Sequence, residues 1–207
     1  MPVDTRFWLL IEERRRRAAE VAAATRSSAS VVSQLRAWFH PAQRAFFERE
    51  ACAPVERTRR FRATKKTRRS GATSGGVREF IARAVEQSDW RGSYVTNTAK
   101  DARGRAWEND TRSGFAQIIK QIGTPVAHRS LDAYIIDGIT VEVRNGDMVL
   151  NFSNGSQIEL FGADNAGDHV KRRGFQKHVM WIDEAQDFPL LEEFFDAVVL
   201  GCIIETV

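Results

Sequence analysis

The run KKTRRSGATSGG, Lys65 to Gly76, joins a basic segment to a stretch of small and hydroxyl-bearing residues. Immediately after it, Val77, Phe80, Ile81, Ala84 and Val85 recur at i, i+3, i+4, i+7 and i+8, the apolar face of a helix. Immediately before it, Arg60 to Thr64 reads as a short strand. A strand, a small-residue loop and a helix N-terminus together form a phosphate cradle. Small residues let backbone N–H groups turn inward, and the helix start favours an anion. Gly71, Ser74, Gly75 and Gly76 meet the first need, and a helix beginning at about Ala72–Ser74 meets the second.

A Walker A loop would close on Gly-Lys-Ser/Thr, and here the same place reads Gly71-Ala72-Thr73. Thr73 keeps the hydroxyl that binds Mg2+, but Ala72 stands where the phosphate-binding lysine is expected. The cation must then come from upstream, where Lys65, Lys66, Arg68 and Arg69 lie within six residues of Gly71. The expected nucleotide contacts are Lys66, Arg68, Arg69, Ser70, Gly71, Ala72, Thr73 and Ser74. Arg68 or Arg69 would also suit transition-state charge stabilisation, an interaction worth ~10³ or more in rate. Taken alone, the run also reads as a basic linker that contains glycines.

About 110 residues downstream, VMWIDEAQDF (Val179 to Phe188) is an apolar strand ending in two carboxylates, the Walker B pattern of ATPases with a catalytic glutamate. Asp183, at the strand tip, is placed to hold Mg2+, and Glu184 to orient or deprotonate the attacking water. Open α/β sheets bind ligands at the carboxyl ends of their strands. The alternative is a strand ending in an exposed acidic turn.

Around these motifs the 207 residues read as an ordinary globular chain, 43% hydrophobic and 10% aromatic. No apolar run reaches the ~20 residues of a membrane span. Cys52 and Cys202 have neither metal-ligand spacing nor a disulfide-framework count, which suits free thiols in a cytoplasm. The net charge of +4 conceals an asymmetry: eight of the thirteen residues from Arg57 to Arg69 are Arg or Lys, whereas Asp183 to Glu205 holds seven acids and neither. Such a basic block meets phosphate or forms a solvated face.

The expected elements begin with helices at 4–25, about 31–39 and 41–51. A strand at Gly92–Thr98 follows, then helices from about Ala99 to Asp110 and around Phe115–Ile122. Asp137-Gly138, Asn145-Gly146 and Asn154-Gly155 mark tight hairpin turns between Ala133 and Phe161. His178–Ile182 reads as a buried strand and 189–199 as a helix. The expectation is an α/β P-loop NTPase of the additional-strand, catalytic-glutamate type. Its central sheet would be mainly parallel, flanked by helices, with a small antiparallel hairpin insertion.

In order and spacing these motifs resemble the N-terminal ATPase domain of a phage terminase large subunit. Pro41-Ala42-Gln43 resembles its adenine-recognising Q motif, which makes Gln43 the base-reading amide. Thr67 to Thr73 resembles its Arg-Arg-x-Gly-Lys-Ser/Thr loop, and the layout from Lys66 to Thr73 is similar to loops whose essential lysine lies at the start. Tyr94–Ala102, Asn154–Phe161, Arg172-Arg173-Gly174 and Asp183–Gln186 resemble successive segments of the family. The resemblance covers roughly residues 38–200, preceded by an N-terminal helical segment at 1–37. It implies ATP and Mg2+ as cofactors and double-stranded DNA as the translocated partner. A small terminase subunit, a portal or procapsid, and homo-oligomerisation on the portal follow as further partners, in a bacterial cytoplasm. The chain stops at Val207 before the family's coupling motif and nuclease domain, so a fragment or truncated form is expected. Two other readings remain open: a helicase-like ATPase, and a degenerate nucleotide- or DNA-binding remnant. The tryptophans are expected to be mostly core anchors, and no chemistry is assigned to the histidines.

Overall fold

The computed structural model describes residues 30–39, 41, 43–44, 71–108, 113–127, 132–164 and 177–199. Helix 4–25, strand Arg60–Thr64, most of helix 41–51 and the Arg172-Arg173-Gly174 turn lie outside the described residues, as do Lys66, Arg68, Arg69 and Ser70.

The elements are α1 (Val31–Ala37), α2 (Ala72–Glu86), β1 (Arg91–Thr96) and α3 (Ala99–Asp101, continued by a π-helical stretch, Ala102–Trp107). Then come α4 (Phe115–Ile122), β2 (Thr124–Pro125), β3 (Ala133–Ile136), β4 (Ile139–Arg144), β5 (Val149–Phe152) and β6 (Gln157–Gly162). The described chain ends with β7 (Val179–Ile182), a 3₁₀ turn at Ala185–Asp187, and α5 (Leu191–Phe194) running into a second π-helical stretch, Phe195–Val199.

The strands of the described residues form one seven-stranded sheet in the order β2-β3-β4-β5-β6-β1-β7. Among the described residues the parallel ladders are those of β1, with β6 on one side and β7 on the other. The ladders β2–β3, β3–β4, β4–β5 and β5–β6 are antiparallel. The expected mainly parallel sheet is therefore corrected: the fold is mixed α/β with a mostly antiparallel sheet. The turn residues had correctly marked the hairpins. Those hairpins do not form a separate insertion, because β6 pairs back to β5 and forward to β1 and so extends the central sheet.

Period-two alternation sorts the strands onto two faces. Tyr94, Val141, Val143, Leu150, Phe152, Ile158 and Leu160 join the main core with residues of α1, α2, α3 and α4. Val95 and Phe161 face a smaller cluster with Phe188, Phe194, Val198 and Val199. β7 is half-buried at every position, not fully buried as its composition suggested, because among the described residues it is an edge strand. Trp90 and Trp107 are core anchors, whereas Trp38 is 62% exposed, against expectation. The Arg78 guanidinium lies over its ring at 5.0 Å.

Two local devices set the position of α2. Its C-terminal carbonyls would otherwise lack partners. The Asn154 amide donates to the Ala84 carbonyl at 2.8 Å and to Gln87 at 3.2 Å, and Ser156 Oγ donates to Gln87 at 2.6 Å. The β5–β6 turn thus caps the helix. At the N-terminus, Gly71 adopts φ +69°, a left-handed conformation that glycine adopts at little cost.

Candidate functional site

The helix start and the tip of β7 meet. Thr73 Oγ1, in the first turn of α2, donates to Asp183 Oδ2 at 2.8 Å. The Tyr94 hydroxyl, from the adjacent strand β1, donates to the same oxygen at 2.9 Å. Asp183 is 5% exposed, so its carboxylate takes from these hydroxyls part of the hydrogen bonding that water would otherwise supply. Burial holds the Tyr94 phenol well above its usual pKa, and the neighbouring Asp183 charge pushes in the same direction. Tyr94 is thereby fixed as a donor.

Gln43 also reaches the loop, its side-chain amide donating to the Gly71 carbonyl at 2.5 Å. A Cβ at Gly71 would lie 2.8 Å from that amide nitrogen, so the glycine allows the approach as well as the backbone turn. Ala72 is the first residue of α2. The Ser74 hydroxyl is engaged by Arg78, one helical turn on.

Glu184 follows Asp183 in a left-handed conformation (φ 56°), which costs a non-glycine residue roughly 1–2 kcal/mol. Its carboxylate forms an ion pair with Arg105 of α3. Arg105 Nε also lies 3.2 Å from Asp101 Oδ1, one turn earlier on the same helix. Asn97, Asp101 and Arg105 from the β1–α3 segment, with Asp183, Glu184 and Asp187 from the end of β7, line a cleft of about 210 Å³. Asn97 Oδ1 is buried and accepts no hydrogen bond among the described residues.

Of the residues expected at the site, Gln43, Gly71, Thr73 and Asp183 come together, and Glu184 adjoins them. Lys66, Arg68, Arg69 and Ser70 fall outside the described residues. Tyr94 and Arg105 were missed. Tyr94 carried no signal of its own, because only the pairing of β1 with β7 brings its hydroxyl to Asp183. Arg105 carried only its i,i+4 spacing from Asp101.

Among the described residues no group of three or more His, Cys, Asp or Glu side chains is arranged to hold a metal. The Thr73 hydroxyl and Asp183 carboxylate nevertheless supply hard oxygen donors, the kind suited to Mg2+, which keeps several waters and takes few protein ligands beside phosphate. No helix among the described residues is long and apolar enough to cross a membrane. Compared with protein-family models, with curated proteins and with solved structures, the chain matches none.

Proposed function

We propose that this chain is a P-loop ATPase domain of the terminase type, which binds ATP with Mg2+ and couples hydrolysis to movement of double-stranded DNA. The observation that carries the reading is the 2.8 Å contact between Thr73 and Asp183. The two motifs are 110 residues apart, yet the hydroxyl and carboxylate assigned to one metal ion share a hydrogen bond. A glycine-initiated helix start beside a strand-tip carboxylate is the arrangement a phosphate and its counter-ion need.

In this reading, Thr73 and Asp183 hold the metal, with Tyr94 fixing the orientation of the Asp183 carboxylate. Bound Mg2+ neutralises phosphate charge. The N-terminus of α2 attracts the phosphates, and Gln43 braces the loop backbone. Glu184 orients the attacking water and accepts its proton. Lys66, Arg68 and Arg69 are the loop's proposed cations. The DNA, the small terminase subunit, the portal and assembly as a homo-oligomer belong to the same proposal.

Ala72 favours a second reading, a binding domain that has lost turnover. ATP hydrolysis by the chain, with and without double-stranded DNA, separates the two. The motor reading expects Mg2+-dependent turnover that falls at least 100-fold in Glu184→Gln. The binding-only reading expects nucleotide or salt-dependent DNA binding without turnover. Unchanged turnover in Glu184→Gln would remove that residue from the chemistry.

A further inference from the structure

We propose that Arg105 recognises the terminal phosphate of the bound nucleotide, exchanging the Glu184 carboxylate for it; this rests on the ATPase reading above. Four side chains form a relay that leads into the cleft. Thr98 Oγ1 donates to Asp101 Oδ2 at 2.8 Å and accepts from the Asp101 backbone N–H at 3.0 Å. Asp101 in turn holds Arg105 Nε, and Arg105 Nη1 pairs with Glu184. The guanidinium is therefore anchored at one edge by its own helix, while its other edge engages a residue from the tip of β7.

The chemistry at that second edge favours exchange. The Arg105 side chain is 50% exposed, so its pair with Glu184 is screened and weak. A terminal phosphate carries more charge than a carboxylate and offers more acceptor oxygens to the guanidinium fork. Glu184 immediately follows Asp183, which Thr73 ties to the start of α2, so phosphates seated there extend toward Glu184 and its partner. Ala72 has removed the usual ammonium from the end of the loop, so the terminal phosphate has room for Arg105 beside the loop's upstream cations. Nε remains on Asp101 during the exchange, so little new order is needed. Diphosphate lacks the group that draws Arg105 away, so Arg105 distinguishes triphosphate from diphosphate.

Equilibrium binding of Mg-ADP and of a non-hydrolysable Mg-ATP analogue tests this in the wild-type chain, Arg105→Gln, Arg105→Lys, Glu184→Gln and the Arg105→Gln/Glu184→Gln double variant. Arg105→Gln is expected to weaken the analogue about tenfold and leave ADP unchanged, and Arg105→Lys to recover part of the loss. Glu184→Gln removes the competing carboxylate, so it tightens analogue binding, and this gain disappears when Arg105 is also replaced. Equal losses for both nucleotides, or a Glu184→Gln gain that survives Arg105→Gln, overturn the proposal. If the wild type binds neither nucleotide, the ATPase reading itself fails. Binding of both that is indifferent to Arg105 fails this proposal alone.

Discussion

Asp183 shows how much a single residue's surroundings add to its sequence context. Its position at the end of an apolar run marked it as a candidate ligand, and the small-residue loop separately marked the Thr73 hydroxyl as another. Both were legible because each motif is local. The Tyr94 hydroxyl on the same Oδ2 was not legible, because it depends on β1 lying next to β7 in register, Tyr94 opposite Trp181. Arg105 was hidden for the same reason: nothing near it in the chain points to Glu184.

The chain has two tyrosines, Tyr94 and Tyr134, and both phenols are held above their usual range, chiefly by burial. Tyr94 is raised well above it, so tyrosinate absorbance at 295 nm in metal-free protein should appear in two steps, the later one assigned to Tyr94. The unfolded chain releases these protons near pH ~10 while the folded chain retains them. Stability from this source is complete below about pH 10 and is lost as pH rises toward the folded values. Tyr94→Phe should abolish the later step and reduce the alkaline loss of Tm. A single titration step with both residues present would contradict the assignment.

Among the elements, α2 and the hairpins were legible from helical spacing and from the Asn-Gly and Asp-Gly turns. What the turns do beyond reversing the chain was not. Asn154 was read only as a turn residue, yet its amide caps α2 from 70 residues away in the chain. Asn154→Ala leaves the carbonyl of the buried Ala84 short of a donor and should lower stability by about 1–3 kcal/mol, measured by denaturant unfolding. Asn154→Asp, which supplies no amide donor, should not restore it.

Gly162 offers a second test at this scale. A Cβ there would lie 2.1 Å from the Ala99 backbone nitrogen and 2.3 Å from the Thr98 carbonyl carbon. Backbone atoms cannot give way as a flexible side chain can, so Gly162→Ala must displace the start of α3. The expected cost is about 1–3 kcal/mol. Because α3 carries Asp101 and Arg105, the displacement should reach the cleft, whereas a Tm equal to wild type would show that β6 and α3 are not tightly apposed.

For the whole molecule, the sequence identified an α/β chain but misjudged how its sheet is assembled. Alternation and turn chemistry specify which neighbours form hairpins. They do not specify that β6 also docks in parallel on β1, a pairing set by long-range packing of Ile158 and Leu160 with Tyr94 in one core. The parallel strands that position the site and the antiparallel strands beyond them share that core, so they should unfold together. Leu150→Ala, far along the sheet from Asp183, should cost about 2–5 kcal/mol. The loss should shift tryptophan fluorescence and circular dichroism transitions together. Separate transitions would show that the antiparallel strands form an independent unit.

The central claim is that the two motifs share one metal–phosphate site, and Mg-ATP affinity in a double-mutant cycle of Thr73→Ala and Asp183→Asn tests it most directly. Each single variant should weaken Mg-dependent binding about tenfold or more, and the double variant should lose little beyond either one, because both groups serve the same ion. Strictly additive losses, or a wild-type chain whose nucleotide binding is absent or indifferent to Mg2+, would contradict it.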